Sequence, residues 1–291
     1  MTRAIVTAFH QYQPYGEKYY EPILDFYLHT MKKYESEYDH IYLLDSTWGI
    51  DPKKIEGMKA SIHKVSPHDR YFDAYKKFLP EVKEDLVLFI DNDTVVYQNG
   101  CIDEMFFQID DTHTNTSVIG IYDTIGEYKT DKMNGKNKLC PYWIAARKDT
   151  LMKYNYVDWG DNMPHSETLG KLTEAMINDD IEMREWPEDK NSIYFDGVQD
   201  SESSKNTGVY HIRAGSTPAV LLAWKDSAPN TYREYLSNQP KREYLRQCAW
   251  YQYMGGNPKE IVKDSIVLRD EKTQMIFWND YYEKFKKYHG L

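Results

Sequence analysis

The sequence predicts one α/β domain: a mostly parallel, doubly wound sheet flanked by helices, with a helical C-terminal tail. Apolar stretches of strand length alternate with amphipathic stretches of helix length in the first third of the chain. This alternation is typical of parallel strands joined by right-handed crossovers. Leu86–Ile90 is a run of five apolar residues bounded by charge on both sides, which predicts a central strand buried on both faces.

The elements follow from local patterns. Pro22 begins a helical pattern that ends with Lys32 and Lys33, cations suited to a last helical turn. Pro80 ends the helix that precedes the central strand. The predicted strands of this first half are 4–9, 40–44, 61–65 and 86–90, and the predicted helices are a segment from residue 22, 52–59 and 69–79.

The second half is less regular. Ser166 is a candidate N-cap for a helix from Glu167. The remaining predicted elements are strands at 117–122, 139–147, 182–186 and 209–212, and helices at 148–154 and in most of the tail. We expect residues 1–216 to form the ligand-binding domain and residues 217–291 to form a helical extension packed on it.

Composition excludes several classes of protein. With a net charge of -10 in 291 residues, the chain lacks the positive field that nucleic acids or anionic membranes require, so membrane contact is at most peripheral. Its three cysteines are widely spaced and odd in number, which indicates neither a disulfide framework nor a zinc cluster. No stretch approaches the ~20 apolar residues of a membrane span. We expect a cytoplasmic protein.

An acid pair follows the central strand directly. Asp91 and Asp93 are separated by Asn92 alone, at the sheet edge where open α/β proteins bind ligands. Two carboxylates this close repel, and a partly desolvated pair needs a proton or a cation. Mg²⁺ or Mn²⁺ is the expected cation because both prefer oxygen ligands. An EF-hand is excluded, since Val96 occupies the position of its glycine.

A strand-ending Asp-x-Asp in this position resembles the glycosyltransferases of the GT-A fold, over residues 2–216. The resemblance implies that Asp93 binds Mn²⁺ or Mg²⁺ against the diphosphate of a nucleotide sugar, a UDP-sugar first among the donors. It implies that Asp91 reaches the metal or the ribose. The acceptor would be a hydroxyl of a glycan, glycolipid or protein.

The resemblance also assigns roles around the nucleotide. The segment after strand one would face the base, Asp45 would meet the nucleotide, and Arg70 would contact the donor. Asp45 has the alternative of capping a turn, and Arg70 that of a solvated surface charge. The implied nucleotide-binding residues are Phe9, His10, Tyr12, Asp45, Arg70 and Asn92.

A histidine late in the chain is the third candidate metal ligand. His211 lies in the apolar run VYHI, and a mixed carboxylate and imidazole shell favours Mn²⁺. The alternative is a core histidine on a strand. Nearby, Arg213 and Lys205 are candidates to clamp the phosphates.

The candidate general base is Glu167 in HSETLG, with Asp161 as the second choice. In an inverting enzyme such an acid would deprotonate the acceptor hydroxyl. A glutamate in a first helical turn is also favourable for its interaction with the helix dipole alone. A retaining enzyme needs no such base, and the stereochemistry stays open.

Two other functions remain. The segment Asp91–Val96 matches the first motif of haloacid-dehalogenase phosphatases, in which Asp91 would be the nucleophile. That motif normally opens its domain, whereas three strand-helix units precede it here. The third function is a non-catalytic module that binds a nucleotide without turnover.

Overall fold

A computed structural model describes residues 1–9, 17–46, 49–67, 69, 71–92, 94–96, 99–110, 115–122, 139–159, 169–186, 209–211, 252 and 282–287. The strands are β1 Arg3–Phe9, β2 His40–Asp45, β3 Ala60–Lys64, β4 Leu86–Ile90, β5 Thr94–Val96, β6 Val118–Tyr122, β7 Leu139–Arg147, β8 Met183–Glu185 and β9 Val209–His211. The helices are α1 Glu17–Lys33, α2 Tyr71–Phe78, α3 Cys101–Asp110, α4 Lys148–Lys153 and α5 Gly170–Asn178.

Seven strands form one sheet in the order β3-β2-β1-β4-β7-β6-β8, and β5 pairs with β9 in a separate ribbon. Within the sheet β7 runs antiparallel to its neighbours β4 and β6, while the other adjacent strands are parallel. The predicted α/β class with a mostly parallel sheet is confirmed.

The core lies on both faces of the sheet, as a doubly wound fold requires. Leu86, Leu88 and Ile90 of β4 belong to the cluster that includes residues of α1 and α3. Val87 and Phe89 belong to the opposite cluster, which includes residues of α2, α4 and α5. All five side chains of β4 are buried, as the uninterrupted apolar run predicts.

Several element boundaries differ from prediction. Helix α1 begins at Glu17, before Pro22, and the expected helix at 52–59 is a short 3-10 helix, Pro52–Ile55. Helix α3 was not predicted. Its amino terminus is held by Glu37, whose buried carboxylate accepts backbone N–H groups of Gly100, Ile102 and Asp103.

The tail is described only at residue 252 and at residues 282–287, both helical. The division of the chain at 216/217 therefore stays a prediction. Among the described helices, none has the length and apolar character needed to cross a bilayer.

Candidate functional site

The segment Asp91–Asp93, called the acid triplet below, follows β4 at the switch point of the sheet, where the strand order reverses between the adjacent strands β1 and β4. The carboxyl ends of β1, β2 and β4 meet at this edge, because these strands are parallel. Asp91 and Asn92 follow β4 there, and both are partly exposed. Ligands of open α/β sheets bind at this kind of position.

A tight turn fixes the main chain of the triplet. The Asp91 N–H donates to the carbonyl of Tyr142 on β7 at 3.3 Å, and the Thr94 N–H donates back to the Asp91 carbonyl at 3.0 Å. The Thr94 hydroxyl also donates to Tyr142 O, at 3.4 Å. Asp93 is outside the described residues, so its role as a metal ligand stays a prediction.

The β5–β9 ribbon brings the late histidine to the same place. In its antiparallel register Thr94 is directly opposite His211, and Cα atoms of such a pair lie about 4.5–5.5 Å apart. The main chain of His211 is therefore next to the residue that follows Asp93. The structure describes the strand at His211 but not its side chain.

Asp45, at the end of β2, has a structural task. Its carboxylate is fully buried and accepts the Ile50 N–H at 2.9 Å and the Lys64 ammonium at 2.6 Å. The turn-capping role foreseen for Asp45 is thus present. Its role toward a nucleotide stays a prediction.

Phe9 and Asn92 also make contacts within the protein. The Phe9 ring is buried edge-on against Tyr27, with centroids 5.6 Å apart, so a contact of Phe9 with a ligand would not involve its ring. The Phe9 carbonyl accepts from the Ser46 N–H at 3.2 Å and from its hydroxyl at 3.0 Å. The Asn92 amide donates to the carbonyl of Ala8 at 3.3 Å.

The remaining candidates lie outside the described residues, and their assignments stay predictions. They are His10, Tyr12 and Arg70 for the nucleotide, Lys205 and Arg213 for the phosphates, and Glu167 and Asp161 as bases. The described residues contain no cluster of three side chains able to hold a metal. The side chains of Asp93 and His211 do not belong to the described part of the chain.

The residue that sequence reasoning missed is Tyr75, on the core-facing side of α2. Its buried hydroxyl accepts the Ala8 N–H at 3.1 Å and donates to the carbonyl of Ile90 at 3.3 Å, directly before the acid triplet. The sequence indicated only an apolar helical face. The available signal was chemical, because a buried tyrosine hydroxyl needs a polar partner.

The donor types at this edge fit a hard or borderline divalent cation. A partly exposed carboxylate, Asp91, lies on a main chain fixed by hydrogen bonds, and the adjacent ribbon carries an imidazole-bearing residue. Carboxylate oxygens suit Mg²⁺ and Mn²⁺, and an added imidazole favours Mn²⁺.

No protein-family model and no curated protein matches the chain. The structure is similar to solved structures of glucosyl-3-phosphoglycerate synthase from Mycobacterium tuberculosis. One, in complex with phosphoglyceric acid, has a TM-score of 0.47 at 13% identity, covering 63% of this chain and 69% of that one. Another, in complex with Mn²⁺, UDP and glucosyl-3-phosphoglycerate, has a TM-score of 0.46 at 14% identity, with the same coverage.

A cytidylyltransferase from Leptospira borgpetersenii has a TM-score of 0.42 at 14% identity, covering 64% of this chain and 75% of that one. Similarities this distant say nothing about what this chain binds or transfers.

Proposed function

We propose that the chain is a metal-dependent glycosyltransferase that moves a sugar from a nucleoside-diphosphate sugar to an acceptor hydroxyl. The observation that carries the proposal is the position of the acid triplet. It follows the central strand at the switch point, and its first residue, Asp91, is bonded to β7. The residue after it, Thr94, pairs with His211 of β9.

In this proposal Asp93, Asp91 and His211 hold Mn²⁺, or Mg²⁺ in its place. The cation supplies positive charge that stabilises the departing nucleoside diphosphate. Local charge of this kind is needed, because a chain with a net charge of -10 otherwise repels a diphosphate. UDP is the proposed nucleotide, and Arg213 and Lys205 are the proposed phosphate contacts.

Two acids are proposed for the acceptor side. Glu167, or Asp161 in its place, would remove the proton of the acceptor hydroxyl as its oxygen attacks the anomeric carbon. The carbon-oxygen bond to the diphosphate breaks in the same step, and the diphosphate leaves with the electron pair. In a retaining enzyme neither acid would have this task.

The test is calorimetric titration of UDP, GDP and their sugars, with and without Mn²⁺. We expect metal-dependent binding by the wild type and its loss in Asp93→Asn. The matched control is Asp149→Asn, which removes one carboxylate in the first turn of α4, at the opposite edge of the sheet. Equal binding by the Asp93→Asn and Asp149→Asn variants would contradict the proposal.

The same protein samples separate the alternatives. Hydrolysis of p-nitrophenyl phosphate through an aspartyl-phosphate on Asp91 would identify a phosphatase instead. Nucleotide binding without hydrolysis or transfer would identify a binding module. Transfer of the sugar to an acceptor would support the proposed reaction.

A further inference from the structure

The hydrogen-bonded pairing of β1 with β4 ends just before the acid triplet. Its first hydrogen bond runs from Leu86 N to Thr2 O, at 3.0 Å, and its last residue pair is Val6 with Phe89. Continued in this register, the next step would join Ala8 N to Ile90 O and Asn92 N to Ala8 O.

Hydrogen bonds from two side chains replace these two main-chain hydrogen bonds. The Tyr75 hydroxyl stands between Ala8 and Ile90, accepting from the first at 3.1 Å and donating to the second at 3.3 Å. The Asn92 side-chain amide takes the place of its own N–H and donates to Ala8 O at 3.3 Å. Both main-chain groups of Ala8 and the carbonyl of Ile90 are thus satisfied while the strands are held apart.

The ring of Tyr75 is fixed by packing. It is fully buried between Phe72 and Phe89, with centroid separations of 5.2 and 4.7 Å. Because the ring has little freedom, the position of its hydroxyl is set by α2, and helix position is thereby linked to the separation of β1 from β4.

The separation of β4 from its neighbour occurs only on the side of β1. On the other side the pairing with β7 continues past Ile90–Trp143, through the bond from Asp91 N to Tyr142 O. The start of the triplet therefore stays with β7 and departs from β1. The separation of β1 from β4 thus lies at the switch point, which is where the proposed ligand would enter.

We infer that Tyr75 and Asn92 are positioning residues that hold β1 and β4 apart and so set the location of the Asp91 carboxylate. For the identity of the ligand this inference rests on the proposed function. It gives Asn92 a structural task toward Ala8 in place of a direct contact with the nucleotide.

Tyr75→Phe tests the inference, because it removes the hydroxyl and keeps the ring. In crystal structures we expect a direct bond from Ala8 N to Ile90 O in the variant and not in the wild type. We expect Mn²⁺ affinity, measured by calorimetry, to fall about tenfold, as is typical when a residue supporting metal ligands is lost. Asn92→Ala, at a partly exposed position, should lower it in the same direction.

Tyr38→Phe is the matched control. It also removes one buried tyrosine hydroxyl, which donates to Met31 O at 2.9 Å away from the triplet. We expect it to leave Mn²⁺ affinity unchanged. An unaltered separation of Ala8 from Ile90 in Tyr75→Phe, or equal effects of both tyrosine variants on affinity, would overturn the inference.

The proposed function can fail separately. If the wild type binds no Mn²⁺ with or without UDP, the metal-dependent transferase is refuted. The main-chain geometry of Tyr75→Phe still decides whether the hydroxyl holds the strands apart.

Discussion

Glu37 is predicted to stabilise the protein by holding the amino terminus of α3. Its carboxylate accepts three backbone N–H groups at the start of α3, from Gly100 at 2.7 Å, Ile102 at 3.0 Å and Asp103 at 3.2 Å. The first N–H groups of a helix have no partner within the helix, so they depend on such an acceptor. The carboxylate is also favourably placed in the field of the helix dipole.

Glu37→Ala leaves three donors without this acceptor, one of them in a buried bond and two in partly buried bonds. At about 1 kcal/mol for each lost bond, the free energy of unfolding should fall by about 3 kcal/mol. Glu35→Ala is the control, because Glu35 lies in the same turn and accepts one backbone N–H, from Lys59 at 2.8 Å. Its expected cost is about 1 kcal/mol or less, since the site is partly exposed.

The assay is urea unfolding of both variants, followed by far-UV circular dichroism and by tryptophan fluorescence. Agreement between the two signals shows that a single transition is measured. If Glu37→Ala costs no more than Glu35→Ala, the start of α3 does not depend on the carboxylate, and the reasoning is refuted.

Three further predictions concern two histidines, a cysteine and a glycine. Burial lowers the pKa values of His40 and His63. As the pH falls below about 6.5, the unfolded chain therefore binds protons that the folded chain does not, and the free energy of unfolding should decrease. Urea unfolding at a series of pH values should show a smaller decrease in His40→Gln than in the wild type, and an equal decrease would contradict this prediction. Burial also raises the pKa of Cys101 well above its usual value, so in a variant lacking the other two cysteines the thiol should react with Ellman's reagent only on unfolding. Gly120→Ala places a Cβ 3.1 Å from the Trp143 carbonyl and should cost about 1–3 kcal/mol in urea unfolding, whereas an unchanged midpoint would show that the sheet yields there.

The parts of the fold that were predictable have local causes. Leu86–Ile90 is apolar at every position because both faces of β4 are covered, and the aspartates after it mark the strand end. The strand at 139–147 was also predicted with the bounds that β7 has. The core on which these strands pack includes Trp143 and Trp159, both fully buried.

The features that sequence reasoning missed depend on residues distant in the chain. The reversed direction of β7 follows from its pairing with β4, which no local pattern encodes. Helix α3 shows a helical spacing of buried residues, but its cap, Glu37, comes from the turn that follows α1. The split beside the acid triplet depends on Tyr75, in which the apolar ring and the polar hydroxyl have separate roles.

The site was predictable only where local sequence patterns determine it. Asp91 and Asn92 lie where a strand-ending acid pair is expected, and the register of β5 with β9 brings the main chain of His211 beside Thr94. For Asp45 the pattern allowed two roles, and its bonds to Ile50 and Lys64 establish the capping one.

The most direct test of the account is a crystal of the protein soaked in Mn²⁺ and UDP, with anomalous diffraction recorded at the manganese edge. We predict a single strong anomalous peak from one Mn²⁺ ion, coordinated by the side chains of Asp91, Asp93 and His211 and by the diphosphate. A map without a peak there, with both carboxylates bonded only to neighbouring backbone amides, would contradict the account.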